Sequence, residues 1–98
     1  MYVTKAITAQ NTWTDVIELM GFFNYSAQGT FDATITLQRT FDNGTTWEDI
    51  DSDTASFSLV GFEPLKPFGY SKPHVKYRLG VKTGEFSSGT ANVRLGIR

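Results

Sequence analysis

The feature that most constrains this chain is a period of two in hydrophobicity, sustained over most of its length. From Phe31 the odd positions read Phe31, Ala33, Ile35, Leu37 and Phe41, interrupted by Arg39, while Asp32, Thr34, Thr36, Gln38 and Thr40 fill the even ones. Val75, Tyr77, Leu79 and Val81 alternate with His74, Lys76, Arg78, Gly80 and Lys82, and Ala91, Val93, Leu95 and Ile97 alternate with Asn92, Arg94, Gly96 and Arg98. Successive side chains of a strand point to opposite faces, so each stretch predicts a strand with one face in a core and one in solvent. That is the habit of antiparallel sheets. Thirteen threonines suit the solvent side of such strands, because β-branching fits the pleat.

The pattern predicts eight strands, at residues 2–9, 13–19, 22–27, 31–41, 46–52, 55–62, 74–82 and 91–98. Only Asp15–Met20 (DVIELM) has helical spacing as an alternative, and it is too short to stand alone. Turn pairs punctuate the rest: Gln10-Asn11, Met20-Gly21, Gln28-Gly29, Asn43-Gly44, Thr83-Gly84 and Ser88-Gly89. Residues 63–73 hold all three prolines and Gly69, and read as a long loop crossing between sheets. The expected fold is all-β: a single-domain antiparallel β-sandwich over residues 1–98 with about eight strands, a jelly-roll-like order being one option. Leu, Ile, Val and Phe make up 25 of the 98 residues, above the level of a disordered chain.

Composition removes several chemistries. Cysteine is absent, which excludes disulfides, zinc–thiolate sites, iron–sulfur clusters and a thiol nucleophile. Histidine occurs once, at His74, on the polar parity of its strand, and no G-x-S-x-G elbow supports a triad around it. Glu48, Asp49, Asp51 and Asp53 raise a glycosidase or weak calcium reading. On an uninterrupted strand, however, the three aspartates share one face as a solvated acidic stripe. No segment approaches a membrane span, and residues 1–10 lack a signal-peptide pattern. The expectation is no enzyme, no cofactor, no metal, no nucleic acid and no membrane.

The formal charge of −1 hides an asymmetry. Residues 1–65 carry nine acids and two bases, whereas residues 66–98 carry one acid and seven bases. Either basic C-terminal strands pair beside acidic N-terminal ones, or the surface is two-signed and meets a second copy or a lattice.

Thr40-Phe41-Asp42-Asn43-Gly44-Thr45-Thr46-Trp47 predicts a hairpin, since Asn-Gly tolerates positive φ at both positions. A two-residue loop sets Arg39 opposite Glu48 and Leu37 opposite Ile50. Trp47 then lies at the rim, or a bulge at Gly44 turns it inward, the arrangement preferred here. Thr40, Asp42, Gly44, Thr46 and Trp47 resemble the Asp box, S/T-x-D-x-G-x-T-W, of sialidase-like propellers and other β proteins. That likeness implies a fold-stabilising turn at Thr40, Asp42, Asn43, Gly44 and Trp47.

Three longer stretches are Phe22-Phe23-Asn24-Tyr25-Ser26 with Gly29-Thr30, TITLQRTFDNGTTWEDID from Thr34 to Asp51, and YRLGVKTGEFSSGTANVRLGIR from Tyr77 to Arg98. Together they resemble small β-sandwich structural proteins of tailed-phage virions, of the head decoration or cement kind. The shared pattern is a Leu-Gln-Arg-Thr strand end, a hairpin with Trp, a Tyr-Arg strand and a Ser-Gly-Thr turn into the last strand. It implies a non-enzymatic virion component that binds the major capsid or other virion proteins and self-associates as a dimer or trimer. A head–tail or tail-fibre subunit is the alternative within that class. A carbohydrate- or cell-surface-binding module, resting on Trp13, Trp47 and the tyrosines, is the alternative outside it. The candidate protein interface is Tyr2, Trp13, Phe22, Phe23, Pro64, Pro67, Phe68 and Tyr70. Strand 2–9 and the proline-rich loop are the segments expected to reach a lattice.

Overall fold

The computed structural model describes residues 1–63 and 75–97. Among them there is no helix, and every strand pairing is antiparallel. The elements are β1 (Tyr2–Ile7), β2 (Thr12–Trp13), β3 (Ile17–Glu18), β4 (Gly21–Gln28), β5 (Phe31–Ala33), β6 (Ile35–Thr40), β7 (Glu48–Asp53), β8 (Phe57–Glu63), β9 (Lys76–Val81), β10 (Phe86–Gly89) and β11 (Ala91–Gly96). One sheet has the order β1-β11-β4-β8. A second has the order β2-β9-β6-β7, with β3 also on β9, and β10 pairs with β5 in a small third sheet.

Among the described residues, eleven strands in three sheets therefore stand where the alternation predicts eight. The stretch 13–19 divides into β2 and β3 because Thr14 intervenes in the ladder. Its amide donates to the Leu79 carbonyl at 2.9 Å, and its hydroxyl accepts the Leu79 amide at 3.1 Å. Trp13 opposes Gly80 and Ile17 opposes Tyr77, so one extra residue is accommodated between the two pairings. Such a bulge inverts side-chain parity. Trp13 turns to the outside of the sheet, whereas Ile17 and Leu19 enter the core. The stretch 31–41 divides at Thr34, whose amide donates to the Glu85 carbonyl at 3.0 Å, so that β5 pairs with β10 and β6 with β7 and β9. Phe41, expected in the core, lies past the end of β6 and is exposed, with the Arg39 guanidinium 4.7 Å from its ring centroid.

The two larger sheets share one core. Phe23, Tyr25, Ala27, Val93 and Leu95 come from the first, and Ile35, Leu37, Tyr77, Leu79 and Val81 from the second. Phe23 and Tyr77 meet across the gap with ring centroids 4.9 Å apart. At the rim, the Tyr25 hydroxyl donates to the Asp51 carboxylate at 2.8 Å. Burial, then that hydrogen bond, pushes the Tyr25 phenol up to about 12. Tyr77 donates to Glu63, which is buried and also 3.6 Å from Arg39, and desolvation with this acceptor drives the Tyr77 phenol far above its ordinary range.

Candidate functional site

The Thr40–Trp47 turn is organised by two side-chain hubs. The Thr40 hydroxyl accepts the amides of Gly44 (2.9 Å) and Asp42 (3.3 Å) and donates to Asp42 Oδ1 at 2.8 Å. That same Oδ1 accepts the Thr46 amide at 2.8 Å. The Thr46 amide first, and the Thr40 hydroxyl second, hold the Asp42 carboxyl below the usual carboxylate range. Asn43 (φ 61°) and Gly44 (φ 96°) both occupy the left-handed region, as a two-residue hairpin loop requires. Arg39 opposes Glu48, with an ion pair of 3.3 Å, as the two-residue loop predicts.

The bulge lies elsewhere than expected. Gln38 opposes Asp49 but Leu37 opposes Asp51, leaving Ile50 as the extra residue in β7. This shift also splits the aspartates. Asp49 stays with outward-facing Gln38, and its carboxylate receives Gln38 Nε2 at 2.8 Å and Lys82 Nζ at 2.6 Å. Asp51 and Asp53, opposite the core residues Leu37 and Ile35, take the inner side of the strand. The shared acidic stripe does not form, and no group of three metal-ligating side chains occurs among the described residues.

Because no bulge forms at Gly44, Trp47 does not turn inward. It stays on the outer face of the second sheet and stacks on Arg78, whose guanidinium carbon lies 4.2 Å from its ring centroid. Trp13 approaches Arg78 from the other side at 4.1 Å. Trp13 reaches this position by lying across Gly80, where an added Cβ would sit 2.7 Å from the Trp13 Cα. Arg78 Nε donates to Gln38 Oε1 at 2.8 Å, continuing the chain Arg78–Gln38–Asp49–Lys82. Burial between the two indoles holds the Arg78 guanidinium below its ordinary value. It remains charged, given how far that value lies above neutrality. Beside Trp13 and Arg78 runs an open groove of about 470 Å³, lined by Asn11, Trp13, Gln38, Arg78, Lys82, Thr83 and Glu85.

The outer face of the first sheet is different in kind. Phe22 is 71% exposed, Val60 69% and Phe62 53%, and the Phe22 and Phe62 rings are 4.7 Å apart. Val60 opposes Asn24, the neighbour of this pair along the sheet. Arg94 donates to Asn24 and lies 4.3 Å over the Tyr2 ring, so Tyr2 joins the same face. The strand bounding this face, β8, is an edge: among the described residues only β4 pairs with it. Residues 54–62 carry no charge, whereas β7, the edge of the other sheet, reads EDIDSD.

Of the expected interface residues, Tyr2 and Phe22 come together here. Phe23 is corrected to the core, since consecutive residues face opposite ways and it is the one that meets Tyr77. Trp13 belongs to the opposite sheet, and Pro64, Pro67, Phe68 and Tyr70 lie outside the described residues, as does His74. Val60 and Phe62 were missed. Their signal was a strand without a charged residue on either parity. Arg78 and Gln38 carried no local signal, because their partners beyond each other come from two other strands and a turn. The charge halves meet in part across the second sheet, where Lys82 of the basic half pairs with Asp49 of the acidic half. No family model matches the chain, and neither the curated proteins nor the solved structures contain a match to it.

Proposed function

We propose that this chain is a non-enzymatic structural protein of a tailed-phage virion. Its role is that of a capsid decoration protein, which seats on the head lattice through the outer face of the β1-β11-β4-β8 sheet. The observation that carries this reading is the apolar cluster of Phe22, Val60 and Phe62, the last two on an edge strand that carries no charge before Glu63. Exposed apolar patches rimmed by polar groups mark protein contacts. An edge left unpaired among the described residues offers backbone groups to an extended segment of a partner. The occupant is thus a coat-subunit segment in extended form, with apolar side chains at alternate positions against Val60 and Phe62.

The strand order supports the finer fold reading, a β-sandwich of jelly-roll type. Counting β2 with β3, β5 with β6 and β10 with β11 as interrupted strands leaves eight strands. Their pairs are first with eighth, second with seventh, third with sixth, and fourth with fifth. A long four-rung hairpin rolled over on itself has this order, and viral coat domains are among its users. That analogy concerns the fold, and function rests on the face.

Burying one Phe or Val side chain contributes about 1.5–3 kcal/mol, so three contribute roughly 4.5–9 kcal/mol. This is near the lower end of the cost of association, about 4–15 kcal/mol. A single contact of this size holds weakly. Attachment of a dimer or trimer to a repeating lattice multiplies it through effective concentration. The test is co-sedimentation of the protein with heads of the phage that encodes it. Wild type is expected to pellet at fixed stoichiometry, and a Phe22→Asp/Phe62→Asp variant of unchanged circular dichroism to stay in the supernatant. Absence of the protein from purified virions, or equal pelleting of both forms, refutes the reading.

A further inference from the structure

We infer that Asn43 is a self-modification site: attack by the Gly44 nitrogen converts its side-chain amide to aspartate and isoaspartate, at a rate the folded hairpin sets by withholding that nitrogen. The site lies in the Thr40–Trp47 turn and does not depend on the decoration reading.

The chemistry needs only two adjacent residues and water. The Gly44 nitrogen bonds to Asn43 Cγ, the Cγ–Nδ2 bond breaks, and Nδ2 leaves as ammonia with the proton that Gly44 gives up. The product is a succinimide ring joining the two residues. Water then opens the ring at either carbonyl. Breaking the bond from the ring nitrogen to Cγ gives aspartate on an unchanged main chain. Breaking its bond to the Asn43 main-chain carbonyl carbon gives isoaspartate, in which the chain runs on through the former side chain.

A side chain on the following residue hinders the attack, and glycine has none. Of the four asparagines, Asn43 alone precedes glycine, and both residues are exposed to water. Asn11 is an internal control. It is also exposed and has a positive φ of 51°, but the β-branched Thr12 follows it.

The hairpin opposes the reaction in three ways. The Gly44 N–H, the bond that must break, donates to Thr40 Oγ1 at 2.9 Å. That hydroxyl is buried and its own proton is committed to Asp42. Lys76 Nζ donates to Asn43 Oδ1 at 2.6 Å and so tethers the reacting amide to β9. Asn43 (φ 61°) and Gly44 (φ 96°) are fixed between two paired strands, whereas ring closure requires rotation about the bonds of Asn43. The succinimide has no N–H at position 44, so it cannot form while the bond to Thr40 persists. The reaction therefore proceeds from a locally opened turn, and its rate follows the population of that open form.

The two products differ in consequence. Aspartate keeps the backbone and places a carboxylate beside the Lys76 ammonium. Isoaspartate lengthens the loop, which then no longer fits a two-residue turn, and draws Trp47 off the Arg78 guanidinium.

The experiment keeps the whole chain for several weeks at mildly alkaline pH and physiological temperature, in buffer and in urea. Mass spectrometry of proteolytic peptides follows each asparagine, and enzymatic methylation detects isoaspartate. Modification is expected at Asn43 and not at Asn11, Asn24 or Asn92, at least about tenfold faster in urea than in the native chain. In folded Thr40→Val the native rate is expected to rise at least about tenfold, and Lys76→Met is expected to raise it as well. The lysine variant leaves the hub intact and carries the test should the valine variant not fold. Fluorescence of Trp47 should move toward that of an exposed indole in step with the isoaspartate fraction. An unmodified Asn43 in urea, a native rate equal to or above the rate in urea, or a slower reaction in Lys76→Met overturns the inference.

Discussion

Thr40→Val removes one oxygen and replaces it with a methyl of similar volume, so it tests whether the Thr40–Trp47 turn is held by its side-chain hub. Three hydrogen bonds are lost: one donated to the Asp42 carboxylate, and two accepted from the amides of Asp42 and Gly44. A hydrogen bond to a charged group contributes about 1.5–3 kcal/mol and a neutral one about 0.5–1.5 kcal/mol, so the gross loss is roughly 2.5–6 kcal/mol. Asp42 is exposed and its carboxylate rehydrates when the hydroxyl goes. The Gly44 amide gains access to water as the turn loosens. The net destabilisation is therefore expected at the bottom of that range, about 2.5–3 kcal/mol. For a chain of this length that corresponds to a fall of about 10–20 °C in Tm. Urea denaturation by circular dichroism measures it directly, with Thr40→Ser as the conservative control retaining most of the stability. Because the same turn carries Trp47 onto Arg78, its fluorescence in the folded valine variant should shift toward that of a solvent-exposed indole. A loss below about 0.5 kcal/mol, the level of an ordinary surface substitution, would refute the hub.

Gly61→Ala places a methyl against the Phe23 ring, which is packed on Tyr77; overpacking of this kind is expected to cost about 1–3 kcal/mol in a urea melt. Asp42 and Asp49 have folded-state pKa values below their unfolded ones, Asp42 through the Thr46 amide and Thr40 hydroxyl, and Asp49 through Lys82 and then Gln38. Their contribution is complete above the ordinary carboxylate value of about 3.9 and is lost as pH falls through the lower folded values. Stability measured from pH 5 downward should therefore drop less steeply in Asp42→Asn/Asp49→Asn than in wild type. At the alkaline end the sign is reversed: the Tyr25 phenol, raised to about 12, adds stability that is complete below about 10 and is lost as pH rises through the folded value. Tyr25→Phe should flatten that alkaline loss.

Strand identity and facing were legible wherever the ladder runs without interruption. Tyr77, Leu79 and Val81, and Ala91, Val93 and Leu95, are buried as their alternation predicts. Period two is a local property of the pleat, so each residue's face follows from its neighbours alone. The side-chain hydrogen bonds of the Asn43-Gly44 turn were legible, because they join residues at most four positions apart, but the facing of Trp47 was not, since the bulge expected at Gly44 lies at Ile50. Parity failed at the bulges, near Thr14 and at Ile50, where the partner strand decides how many residues face one. The shared face expected for Asp49, Asp51 and Asp53 failed for that reason.

By itself, the sequence determined an all-β chain, its turns, and the absence of thiol chemistry. Only the tertiary structure decided which outward residues meet. The Phe22–Phe62 cluster joins β4 to β8, and the Trp13–Arg78–Trp47 stack gathers β2, β9 and the hairpin turn. Neither has a local signature, because sheet neighbours are chosen by the closing of the core. A charge sum along the chain cannot show that Lys82 lies beside Asp49. Alternation states which face a side chain takes, whereas strand order states what it faces.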